Sequence, residues 1–157
     1  MGLTLAGCET GPLPLEPASP SAPTPQPGPP GRIDGVAKFR TPEGRLVTCA
    51  GLTVALLVDT NQVRGRMRTL YGSDEHAVQP VAVVKARSVG VPGAAPPTAT
   101  AMCDARGAFA FEEVAPGSYY LVARVKNPPP SRVRDDLGLA QHIGVRRGES
   151  LQVRLEP

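Results

Sequence analysis

Three patterns in this 157-residue chain point to an all-β fold, a seven- or eight-stranded antiparallel β-sandwich with one short helix. Short runs alternate in polarity, so that Phe109 and Phe111 share one face, as do Tyr119, Leu121, Ala123 and Val125, which is the period of half-buried strands. Clusters of Gly, Pro and Asp break these runs at the short intervals typical of sandwiches. The apolar residues are 41% of the chain, yet aromatics are 4% and Trp is absent. A core must therefore be assembled from Val, Leu, Ala and Ile with three Phe, and β-branched side chains favour strands.

Residues 9–30 are read as a linker. They are dominated by Pro, Ser, Ala, Thr, Gln and Gly, with too little apolar surface to offset the entropy of ordering. A disordered, extended segment is expected there. At roughly 3.1 Å per residue in polyproline geometry it would reach up to about 60 Å.

Residues 31–157 are read as a single folded domain. Ile33, Val36, Ala37 and Phe39 make a first strand that stops at the Thr41, Pro42, Glu43, Gly44 turn, with a continuation over residues 45–49. Leu52, Val54, Leu56 and Val58 share one face of the next strand and Thr53, Ala55 and Leu57 the other, as in a central strand buried on one side and partly covered on the second. The period then changes. Val63, Met67, Leu70 and Tyr71 recur at helical spacing, with Asp59 or Thr60 as cap and Gly72 as stop, predicting a short helix across one end of the sandwich. Its Arg64, Arg66 and Arg68 form either a binding face or a merely solvated one.

Val81, Val83 and Val84 place a further strand over residues 78–88, and a Gly- and Pro-rich surface loop follows over 89–97. Residues 98–103 lead into a turn in which Asp104 accepts backbone N–H groups and Gly107 takes positive φ. Residues 104–125 then read as a hairpin across Pro116 and Gly117. Pro128, Pro129 and Pro130 interrupt pairing. A closing hairpin is expected over 140–145 and 151–155, turning at Arg147, Gly148 and Glu149.

The pattern Asp104, Gly107, Phe109, Phe111, Pro116, Gly117, Tyr119 and Leu121 resembles the carboxypeptidase regulatory-like family, whose fold is a prealbumin-type sandwich. That resemblance implies an accessory, non-catalytic domain, related in fold to transthyretin and to starch-binding modules and common in exported bacterial proteins. The close match spans about a quarter of the folded part and speaks to fold rather than function.

Leu5, Ala6, Gly7 and Cys8 resemble the lipobox of bacterial lipoproteins, where small residues admit a peptidase before a lipid-modified Cys. Residues 1–8 are read as the remnant of a longer lipoprotein signal, since seven residues before Cys8 fall short of a signal peptide. Cys8 is then the lipidation site and the membrane anchor. Glu9 in the next position resembles the sorting pattern for the periplasmic side of the outer membrane.

In such an oxidising compartment, Cys49 and Cys103, each at a strand end, are expected to form a disulfide. Two buried thiols are the alternative and would fit a cytosolic chain.

The formal charge of +3 comes from dispersed Arg without a dense basic cluster, which argues against nucleic acid. No apolar run approaches the roughly 20 residues of a spanning helix. His76 and His142 are the two His of the chain, too few for a zinc site without converging carboxylates or thiols. No cofactor is implied. Among the fold's relatives, hydroxyisourate hydrolases end in a Tyr-Arg-Gly-Ser sequence, whereas this chain ends Arg154, Leu155, Glu156, Pro157. Lys38 on the first strand lacks the last-strand Asn of an isopeptide cross-link.

The sequence reading is thus a non-catalytic, exported cell-envelope lipoprotein whose sandwich binds or scaffolds an envelope protein or glycan. A carbohydrate-binding module is the alternative, with Tyr71 and Tyr120 as the stacking surfaces a sugar would need. An enzyme is the third reading, and would require Asp74, His76, Asp135, Asp136 and His142 to converge.

Overall fold

The computed structural model describes residues 26–94, 96–126 and 136–157. Cys8, residues 9–25 of the linker, the loop carrying Pro128, Pro129 and Pro130, and Asp135 lie outside the described residues.

The chain forms β1 (Gly31–Val36), β2 (Lys38–Arg40), β3 (Leu46–Thr48), β4 (Thr53–Val58), α1 (Asn61–Tyr71), β5 (His76–Pro80), α2 (Val81–Ser88), β6 (Ala99–Met102), β7 (Ala108–Val114), β8 (Gly117–Val125), β9 (Leu137–Val145) and β10 (Ser150–Arg154). The β-sandwich expected from the alternation is present. A five-stranded antiparallel sheet, ordered β5-β9-β8-β4-β6, faces a three-stranded sheet ordered β10-β1-β7, and β2 and β3 form a small ribbon. Within the smaller sheet β1 runs parallel to β10 and antiparallel to β7.

Between the sheets lies a core of Ile33, Leu56, Phe109, Phe111, Leu121 and Val125, among others, all buried. Each fully buried aliphatic side chain of this kind contributes roughly 1.5–3 kcal/mol. Gly35 is part of the fit. A methyl group there would overlap the Phe109 ring, which crosses the bare backbone of β1 and meets Phe111 edge to face at 6.0 Å. Cys49 and Cys103 are joined as a disulfide, tying the end of the β2–β3 ribbon to the end of β6.

Four expectations are corrected. β7 and β8 do not pair as a hairpin: β7 bonds to β1 in the smaller sheet and β8 to β4 and β9 in the larger. The Pro116-Gly117 link is therefore an arch between layers. Just before it, Glu112 and Glu113 stand opposite Arg32, a bulge marked by positive φ (52°) at Glu113, and a bulge turns a strand out of its sheet. Likewise β9 and β10 lie in different sheets, so the turn at Arg147-Gly148 crosses the sandwich too.

The third correction concerns residues 78–88. Val81–Ser88 is helical, because the strand ends at Pro80 and Val81, Val84 and Ser88 then recur three and four apart on the half-buried side. A run of Val lowers helix propensity only slightly.

The fourth concerns the position of α1. Thr60 caps it by accepting from the Val63 N–H, and Gly72 ends it in the left-handed region (φ 79°), as the sequence implied. The helix does not close an end of the sandwich. Its Val63, Met67, Leu70 and Tyr71 pack with Tyr120 and Ala140 on the outer face of the larger sheet, giving a second core and a third layer.

Residues 26–30 run along the domain rather than away from it. Gln26 N–H donates to the Pro116 carbonyl, and Pro29 O accepts from the Gly148 N–H at 3.0 Å.

Candidate functional site

Strands β4 and β8 alternate, so residues that point away from the inter-sheet core point at the helices. Ala55 and Leu57 from β4 and Val122 from β8 form this outer floor, and all three are half-buried. α1 covers part of it tightly. α2 does not: none of its residues is buried, and it has no side-chain cap. It is held by the Arg87 guanidinium on the Leu70 carbonyl and by Val81 N–H on the Asp136 carbonyl.

The loosely seated second helix leaves a cleft of about 600 Å³ between α1, α2, the sheet floor and residues Val91, Pro92, Gly93, Ala94 and Pro97. Met67, Leu70, Val84, Val91 and Val122 line it, so its wall is overwhelmingly aliphatic. Gly65 lines it too, and a Cβ added there would touch nothing within 4 Å. A neighbouring hollow of about 470 Å³ shares Ala55, Arg66, Leu70, Tyr71, Val84 and Val122 with the first. Together they form one trough. Ligand pockets typically occupy roughly 300–1,000 Å³.

The charged side chains along the trough are Arg66, Lys85 and Arg124, and neither hollow is lined by Asp or Glu. Arg66 Nη1 donates to the Pro92 carbonyl at 2.6 Å, which fixes the guanidinium at the mouth. Burial pushes the Tyr71 hydroxyl above its usual range, and the nearby Arg66 charge partly opposes this.

The aromatic residues expected to meet a ligand are not at the surface. Tyr120 is 1% exposed and its hydroxyl donates to the Asp74 carbonyl, while Tyr71 is 7% exposed and forms part of the trough wall. The chain has three Phe, three Tyr and no Trp, and every one of these six rings is buried. No aromatic face is open for a sugar to stack on. Sequence reasoning took Tyr120 as accessible because β8 was assigned one buried face; α1 covers the other.

Of the residues of the enzyme reading, the Asp74 carbonyl and the His142 ring both meet Tyr120, whereas Asp136 lies elsewhere. Asp74 is ion-paired with Arg68, which holds its carboxyl below the usual range, and Asp136 is ion-paired with Arg124 at the far end of β8. His76 Nε2 meets the Glu156 carbonyl at 2.6 Å. His142 instead lies against Asp59, a contact the sequence did not suggest because Asp59 read as a helix cap. Asp59 Oδ2 takes both His142 Nε2 and an Arg64 nitrogen at 2.8 Å, and Asp59 Oδ1 is buried with no hydrogen-bond partner. Neither His lines the trough. Among the described residues, no three His, Cys, Asp or Glu side chains converge as a metal centre requires.

No family model and no curated protein matches the chain. Among solved structures it is similar to a candidate carbohydrate-binding protein from Pseudomonas aeruginosa, with a TM-score of 0.62 and 18% identity over 83% of this chain and 90% of that one. At that identity the likeness is one of fold.

Proposed function

We propose that this chain is a non-catalytic binding module of the cell envelope, exported and lipid-anchored at Cys8, whose ligand-receiving surface is the trough under α1 and α2. The observation that carries the binding role is the aliphatic cleft of about 600 Å³ beside a helix that buries none of its own residues. A surface that only completed the fold would be filled, since interiors pack like organic crystals.

The test is a titration with N-phenyl-1-naphthylamine, an uncharged dye that fluoresces in apolar surroundings. Saturable enhancement is expected with the native protein and its loss in Gly65→Leu, where the new side chain occupies the cleft. Helix propensity favours that substitution, so the fold is retained. Absence of saturable enhancement would refute the reading.

The lipobox resemblance at residues 5–8 and the linker composition support export and anchoring. Incorporation of a palmitate analogue in a chain extended upstream, lost in Cys8→Ala, is the expected result; equal labelling of both would remove the anchor.

Carbohydrate recognition is the second reading, favoured by the name of the Pseudomonas aeruginosa neighbour. It would have to proceed through polar contacts, given the buried rings. Glycan-array binding that survives Gly65→Leu would support it over the trough.

A further inference from the structure

The three arginines of α1 have different partners. Arg64 is ion-paired with Asp59 and Arg68 with Asp74. Arg66, between them, faces the trough and has no carboxylate partner among the described residues; nor has Lys85, further along it. One hydrocarbon-lined trough thus carries unneutralised positive charge at Arg66, where its two hollows join, and at Lys85 in the second, while its floor is Ala55, Leu57 and Val122.

We infer that the trough takes a free single-chain aliphatic carboxylate, with its hydrocarbon laid over this floor and its anionic head at Arg66 or Lys85. The inference rests on the trough being the binding surface. Three features favour this class of ligand. Two joined hollows that share Ala55, Leu70, Val84 and Val122 give a flexible chain a continuous apolar bed. The wall offers few hydrogen-bonding groups, so most of the ligand must be hydrocarbon, each buried methylene adding about fourfold in affinity. The charge along the trough is of one sign, and a guanidinium already fixed on the Pro92 carbonyl can meet a carboxylate with little further ordering.

Displacement of N-phenyl-1-naphthylamine from the full chain tests it, with dodecanoate compared against dodecanol below their aggregation concentrations. Dodecanoate should displace the dye roughly tenfold more effectively, the size of one charge-assisted contact. In the double variant Arg66→Gln, Lys85→Gln that preference should fall to about one while dodecanol is unaffected.

Equal displacement by acid and alcohol, or a preference that survives the double variant, overturns the carboxylate assignment and leaves the trough reading standing. No dye binding at all overturns the trough reading and this inference with it. Vesicles of phosphatidylglycerol separate the free acid from a membrane lipid. Flotation that depends on Arg66 and Lys85, with no displacement by free dodecanoate, would make the occupant a membrane and refute the proposal.

Discussion

His142 Nε2 lies 2.8 Å from Asp59 Oδ2, joining residues 83 positions apart at the end of the larger sheet where α1 begins. Asp59 is 3% exposed and its second oxygen has no partner, so His142 and Arg64 hold its carboxylate while its backbone N–H donates to the Ser118 carbonyl. Tyr120 packs on the same imidazole at 5.0 Å between ring centres. The pair therefore links the start of α1 to the strands beneath it.

Removing one side of this contact should cost stability. His142→Ala leaves a buried carboxylate short of a donor, a loss of about 2 kcal/mol in urea denaturation. Combined with Asp59→Asn, the two effects should be less than additive. Strict additivity would show that the residues do not interact.

The disulfide closes a segment of 54 residues that includes β4, α1, β5, α2 and β6. In the chain-entropy treatment, loss of a closure this long costs about 4 kcal/mol. Dithiothreitol, or Cys49→Ala with Cys103→Ala, should lower the urea midpoint by a corresponding amount. Alkylation of both thiols without reduction would show that the bond does not form in the isolated protein.

Acid sensitivity should trace in part to the turn before β7. Asp104 accepts the N–H groups of Ala108 and Arg106, and these bonds hold its carboxyl below its ordinary value of 3.8. A carboxyl depressed in the folded state stabilises it above the unfolded value and loses that contribution as pH falls through the folded one. Native stability should thus drop below pH 3.8, and Asp104→Asn should shallow that acid limb while keeping the turn. Parallel curves for the two proteins would contradict this.

Sequence alone revealed the core-facing side of β4, β7 and β8, because the period of two is local. Leu56 against Leu57 and Phe111 against Ala110 could be assigned in this way; turn chemistry gave a cap at Asp59 or Thr60 and a stop at Gly72, and strand-end position gave the Cys49–Cys103 pair. It did not reveal which sheet a strand joins: Phe111 turns inward whether β7 pairs with β8 or arches over it. α2 was hidden by its Val residues, and the cover over Tyr120 by its origin in a helix about 50–60 residues earlier in the chain. The trough draws on α1, α2, β4, β8, residues 91–94 and Pro97. Its one local trace was the run of arginines at 64, 66 and 68, whose separate roles depend on the distant placement of Asp59 and Asp74.

Methyl-resolved NMR of the labelled domain, titrated with N-phenyl-1-naphthylamine, reads the trough most directly. Signals of Val84, Val91, Val122 and Met67 should shift saturably, while those of Val47 and Val125 in the inter-sheet core stay in place. Shifts absent from the four trough residues, or spread evenly over both groups, would contradict a binding surface between the helices and the sheet.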